Sequence, residues 1–394
     1  MKTTLPISMG RIAVVAALAA ALAGPGQAAL HSVFLTVPAR PEEALTWCGP
    51  AAAQMAMEGY PSGACAKTQD EVWLAILASK VEGMWDSDPA GMRGAMMGLC
   101  PPAGGGHWVA FSPADPAALM YSVAYWMTRN NYPAVVLLNT AAHTSYAPHQ
   151  EHWVVVKGIV TDVNPTTSAT VNLEYVWFND PAVPLGDPPL ERYVSAATWY
   201  GELQAVAKPG SAYTAKYVAV IEPPERPGRA IARKEVLVGR VIPPEVALRN
   251  AAKWIRSVGL GRIGPFKGFE GSKPLPPLLV NAAQGGYYLI PYSSGDDTAR
   301  LAVVVNAYTG GFQEAGSFAP ARFLSQKAAV DAALKHLGVR EPKKVTAELE
   351  SSSGVGSPNR YAPSWKIDVD GSTVVVTNAG EIRRAPAPPK RGPN

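Results

Sequence analysis

The chain of 394 residues holds only three cysteines, Cys48, Cys65 and Cys100, and six histidines, and no HExxH pattern or paired-cysteine spacing joins them. Zinc-finger and helical metalloprotease sites therefore find no support. Beyond residue 29 no apolar run is long enough for a helix to span a bilayer. A strong charge of either sign is also missing. The formal charge is +4, and losing Lys2 and Arg11 with a leader brings it to +2. Such a balance argues neither for nucleic acid nor for an acidic surface as partner, and no nucleic-acid partner is expected. What remains is the composition of an ordinary globular protein, 47% hydrophobic and 17% charged, long enough for two cores.

Residues 1–29 carry Lys2 and Arg11, an apolar run over 12–23 and a small-residue ending, Gly26-Gln27-Ala28-Ala29. This is the pattern of a secretory signal peptide cleaved after Ala28 or Ala29, and the expected location is secreted or periplasmic. The run falls short of the ~20 residues a spanning helix needs, so a retained anchor is the lesser alternative and no membrane contact is expected after removal. In an oxidising compartment two of three cysteines should pair. If Cys48 serves as a nucleophile it must stay reduced, which leaves Cys65–Cys100 as the pair; three free thiols is the other reading.

Residues 33–38 read as a lead-in strand, and 49–59 as a helix that begins at Cys48 and stops at Gly59-Tyr60-Pro61. Thr68-Gln69-Asp70-Glu71 is a capping box, and Asp88-Pro89 and Asp115-Pro116 each place an N-cap acid before a first-turn proline. After Tyr132-Pro133 come runs rich in β-branched and aromatic residues at 134–138, 152–160, 171–178 and 213–221. Helices first and an antiparallel sheet afterwards make an α+β layout. A proline-rich stretch ends this region near 222, and 223–238 reads as a linker. Beyond it a helix followed by a hairpin occurs twice: a helix over 246–257 with strands at 287–292 and 301–311, then a helix over 326–336 with strands at 365–371 and 373–381. The two repeats are assigned to 239–318 and 319–384, and 385–394 to a disordered tail.

Cys48 is the candidate nucleophile, because a thiol at a helix N-terminus feels the positive end of the macrodipole. A lone cysteine is otherwise an apolar filler. His152, opening an apolar strand, is the candidate base, in preference to His143 and His149 in the polar stretch before it; a histidine that merely caps the strand is the bland alternative, and a metal site built from the three histidines, which lacks the usual spacing, the lesser one. Asn179 and Asp180 are neighbours at the end of the next strand, so only one can meet the imidazole. Asp180 is the favoured orienter and Asn179 the alternative.

Trp47-Cys48-Gly49-Pro50-Ala51-Ala52-Ala53-Gln54-Met55, His152-Trp153-Val154-Val155-Val156-Lys157-Gly158 and Asn179-Asp180-Pro181 resemble the three blocks of the papain-like C39-type cysteine peptidases, the group of the bacteriocin-leader peptidases. The likeness spans about residues 30–222. It implies a papain-like fold, no cofactor and no metal, a peptide or protein substrate, and attack by Cys48 with His152 as base and Asp180 as orienter. That family carries a glutamine about six residues before the cysteine as an oxyanion donor, and here the place falls at Glu42; an ionised carboxylate cannot donate. The resemblance therefore implies either a working peptidase with a substitute donor or a protonated Glu42, or a catalytically silent peptide-binding relative. The C-terminal units are similar to PepSY-like repeats, through 305–311 and its shorter echo 376–380, which implies a region that binds or restrains the catalytic domain through an intramolecular contact with the peptidase cleft; a spacer or substrate-docking module is the other reading.

Overall fold

Runs such as residues 135–138 and 302–305 have no polar alternation, so their strands need apolar cover on both faces. The computed structural model shows how each receives it, and it describes residues 30–60, 65–102, 106–139, 151–181, 190–221, 228–232, 240–281, 286–293, 295, 298–350, 361, 363–377 and 380–384. The signal peptide and tail expected at 1–29 and 385–394 lie outside the described residues, as do His143 and His149.

The N-terminal part runs β1 (His31–Phe34), α1 (Cys48–Glu58), α2 (Gln69–Ser79), α3 (Pro89–Leu99), β2 (Val109–Phe111), α4 (Pro116–Asn130), β3 (Ala134–Asn139), β4 (Glu151–Thr161), β5 (Thr170–Asp180), β6 (Leu190–Ser195), α5 (Ala196–Glu202), β7 (Ala219–Ile221) and β8 (Arg229–Ala232). The C-terminal part runs α6 (Pro244–Ser257), β9 (Lys273–Pro274), β10 (Leu278–Val280), β11 (Tyr287–Ser293), β12 (Ala299–Asn306), β13 (Phe312–Ala321), α7 (Gln326–Leu337), β14 (Val345–Glu350), β15 (Ser364–Val369), β16 (Ser372–Val376) and β17 (Ile382–Arg384). The fold is α+β. Its main sheet has the strand order β10-β11-β12-β13-β6-β5-β4-β3-β7-β2, with β1 on β4, β9 on β11 and β8 parallel to β5. A second sheet, β14-β15-β16-β17, stands apart.

The helix starts follow local chemistry. Thr68 and Glu71 form a reciprocal capping box on α2, while the carboxylates of Asp88 and Asp115 accept from Gly91 N and Ala117 N at the starts of α3 and α4. Gly338, in the left-handed conformation, closes α7. The small residues Ala51, Ala52, Ala53 and Ala56 let α1 lie close on the sheet, and with Met55 and Met57 they pack against Val135, Leu137, Trp153 and Val155. The opposite face of the same strands, through Val136, Val154 and Val156, packs on α4.

The same arrangement recurs in the C-terminal part. Tyr288, Ile290, Val303 and Val305 pack beneath α6 with Phe266 and Phe269. Tyr287, Leu289, Ala302 and Val304 face α7 and the second sheet, through Leu349, Trp365 and Ile367. Fully burying each such side chain contributes about 1.5–3 kcal/mol.

Three expectations change. The strand expected at 213–221 is confined to Ala219–Ile221, because Ala215 takes φ 60° and the chain folds back through Val206, with bonds of 2.9 Å both to and from it. The stretch read as a linker holds β8, which pairs with β5 and buries Ala230. The two C-terminal units are also unequal: β13 of the first pairs antiparallel with β6, so that unit continues the N-terminal sheet, while the second closes its own.

Candidate active site

Cys48 is the first residue of α1, half-buried and with a free thiol, while Cys65 and Cys100 are joined by a disulfide. Helix N–H groups in the first turn have no acceptor within the helix, so the sulfur sits where backbone donors and the dipole favour negative charge. The approach to it is tight. A Cβ on Gly49 would lie 2.4 Å from Ser87 Oγ, and Thr46 is held at φ 73°, a left-handed conformation that a β-branched residue rarely adopts. Nothing in the sequence marks Thr46 as strained, since the strain comes from the path into α1.

His152 lies near the start of β4, opposite Leu138 on β3, and its side chain is buried. Its Nε2 is 2.7 Å from Asp180 Oδ1, which leaves Nδ1 as the nitrogen for another partner. Cys48 is a hydrogen-bond and charge partner of the same imidazole. Burial alone would lower the His152 pKa, but the Asp180 charge and hydrogen bond, helped by Cys48, overcome this and raise it to about 10. At neutral pH the ring is therefore an imidazolium, and Nε2–H donates to Asp180.

Asn179 points to the opposite face of β5. Its amide donates to the carbonyls of Val37 and Pro38 at 3.3 and 3.1 Å and so anchors the segment ahead of Cys48. Of the two neighbours, Asp180 meets the histidine.

Glu42 stands beside this group. Its backbone N–H donates to Pro181 O at 3.0 Å, and its carboxyl feels the charges of His152 and Asp180. Burial raises its pKa to about 7, with His152 opposing and Asp180 adding to the shift. Gln69, buried at the start of α2, holds the loop on either side, accepting from Glu43 N at 3.0 Å and donating to Pro41 O at 2.8 Å. The structure thus gathers Cys48, His152, Asp180 and Glu42 in one place.

No family model matches the chain, and no curated protein or solved structure does. The site therefore has to be read from its own chemistry. Among the described residues no group of His, Cys, Asp and Glu is arranged to hold a metal, and no helix is long and apolar enough to cross a membrane.

Sequence reading missed Arg192. Its guanidinium is buried beside Asp180, with Nη1 3.9 Å from Asp180 Oδ2, and bonds two glutamates, Glu202 and Glu314. No local pattern could find it, because Glu314 lies 122 positions away and reaches Arg192 only through the β6–β13 pairing.

Proposed function

We propose that the protein is an exported cysteine peptidase, or a related amide hydrolase, of papain-like fold, with Cys48 as nucleophile, His152 as acid and base, and Asp180 as orienter. The observation that carries this reading is the geometry of His152, whose Nε2 is 2.7 Å from Asp180 Oδ1 and whose ring partners the Cys48 thiol at a helix N-terminus. A nucleophile, a base and a group that fixes the base form the arrangement that covalent acyl transfer needs.

In the acylation step the Cys48 sulfur forms a bond to the substrate carbonyl carbon and the carbonyl π pair moves to oxygen. Collapse of that oxyanion breaks the C–N bond, and the imidazolium of His152 gives its proton to the leaving amine. Water, deprotonated by the neutral imidazole, then attacks the thioester; its collapse releases the acid and regenerates the thiolate–imidazolium pair. Below pH about 7 the protonated carboxyl of Glu42 can donate to the oxyanion. The Cys65–Cys100 disulfide supports export to an oxidising compartment. The C-terminal units are read as PepSY-like modules that stay with the peptidase.

The second reading is a silent peptide-binding protein, favoured by the carboxylate at Glu42. Alkylation by iodoacetamide separates the two. Rapid labelling of Cys48 at about pH 6–7, slowed ~10²-fold or more in His152→Ala, with cleavage of a peptide library abolished by Cys48→Ala, is the expected result. Labelling at the rate of an ordinary thiol, indifferent to His152, would sink the enzyme reading.

A further inference from the structure

The two halves of the chain share one buried charge cluster. Arg192, on β6, directs Nη1 and Nη2 to Glu202 Oε2 and Oε1 at 3.0 and 2.6 Å, and Nε to Glu314 Oε1 at 2.5 Å. Glu202 ends α5 of the N-terminal part, whereas Glu314 sits on β13 of the C-terminal part and is fully buried. The same guanidinium comes to 3.9 Å from Asp180 Oδ2, beyond hydrogen-bond length, while Asp180 Oδ1 holds His152.

That geometry sets up a competition. Asp180 lies between two cations, the imidazolium and the guanidinium. Two glutamates take three N–H donors of Arg192, one from each nitrogen, and balance its charge, so the arginine is drawn away from Asp180 rather than onto it. With Glu314 removed, one balancing charge disappears and Nε loses its acceptor. The guanidinium would then turn to Asp180 for compensation, at the expense of His152.

We propose that Glu314 is a positioning residue for the Cys48–His152–Asp180 site, supplied by the C-terminal module and acting through Arg192. The proposal rests on the reading of Cys48 and His152 as nucleophile and base. It makes the module part of the catalytic apparatus, meeting the site from behind Asp180 along β6. The groups facing His152 are Cys48, Asp180 and Glu42, and those facing Arg192 are Asp180, Glu202 and Glu314. Losing the Glu314 charge lets the guanidinium compete for Asp180, so the imidazolium should give up its proton at lower pH.

The test follows iodoacetamide alkylation of Cys48 in the full chain between about pH 5 and 11, taking the upper inflection that disappears in His152→Ala as the imidazolium titration. Glu314→Gln keeps size and an acceptor but not charge, and is expected to lower the inflection by about one unit. Glu314→Asp, which keeps the charge but withdraws it, should give a smaller shift in the same direction, and it decides the matter if the glutamine variant does not fold. Phe312→Leu loosens the same strand without touching the charges, and is expected to lower Tm and leave the inflection in place. An inflection at the wild-type pH in both Glu314 variants overturns the proposal, as does an equal shift in Phe312→Leu. Absence of any His152-dependent inflection in the wild type would instead remove the catalytic reading beneath it.

Discussion

The backbone N–H of Glu42 donates to the carbonyl of Pro181 at 3.0 Å, tying the loop that delivers Cys48 to the residue that follows Asp180. The bond fixes a carboxyl group beside the imidazolium, and burial raises the pKa of that group to about 7. Below this pH the carboxyl carries a proton and can donate to an oxyanion. Above it the carboxylate repels one.

Turnover should accordingly fall as pH rises through about 7. Glu42→Gln, which donates at every pH, is expected to remove that decline and raise kcat/KM by ~10–10² fold at pH 8–9. Stability moves in the same sense. A carboxyl raised in the folded state from its ordinary value of 4.5 to about 7 leaves the fold unpenalised below 4.5 and costs stability as pH climbs to about 7. Denaturant titrations of the two proteins should therefore diverge across that window in favour of the glutamine variant. A pH profile unchanged by the substitution would exclude Glu42 from the chemistry.

Gly49 follows the candidate nucleophile, and a Cβ there would meet Ser87 Cβ at 2.5 Å and Met92 Sδ at 3.2 Å as well as Ser87 Oγ. Ser87 also accepts, through its carbonyl, from Trp153 Nε1 at 3.0 Å, so it cannot retreat freely. Gly49→Ala is expected to cost ~1–3 kcal/mol and to displace the start of α1 from His152. Thermal melting and the rate of Cys48 alkylation should both fall. A variant as stable and as reactive as the wild type would show that the contact yields easily.

The Cys65–Cys100 bridge ties the connection between α1 and α2 to the C-terminus of α3, across a separation of 35 residues. On the chain-entropy account, a loop of that size contributes ~3–4 kcal/mol. Reduction, or the double change Cys65→Ser/Cys100→Ser, should lower Tm by roughly 5–10 °C. In the unreduced, unfolded protein a thiol assay should count one thiol, Cys48. Three reactive thiols would remove the bridge and, with it, the support it lends to an oxidising location.

Asn179→Leu should separate anchoring from chemistry. The amide holds the carbonyls of Val37 and Pro38 but does not meet His152. Leaving Pro38 O without this donor, and Val37 O with only Lys157 Nζ at 3.4 Å, should cost ~1–3 kcal/mol. The high-pH limb of Cys48 alkylation, set by His152 near 10, is expected to stay where it is. A shift of that limb comparable to that of Asp180→Asn would show that Asn179 takes part in orienting the ring.

Much of this protein is legible in its sequence alone. The capping box at Thr68, the proline-led starts of α3 and α4, and the double-faced apolar strands are local signals, because capping and side-chain periodicity act over a few residues. Cys48, His152 and Asp180 could be named for the same reason: each stands at the end of an element whose limits its neighbours set.

Tertiary structure alone decided the rest. The choice between Asn179 and Asp180 depends on which face of β5 meets His152, and Glu42 titrates near 7 rather than 4.5 only once folding has buried it beside the imidazolium. Arg192 acquires its partner Glu314 through strands far apart in sequence. The sequence by itself determined where a thiol, an imidazole and a carboxylate could be displayed. Long-range pairing, burial and charge decided which of them meet, and those are properties of the folded sheet that no short stretch encodes.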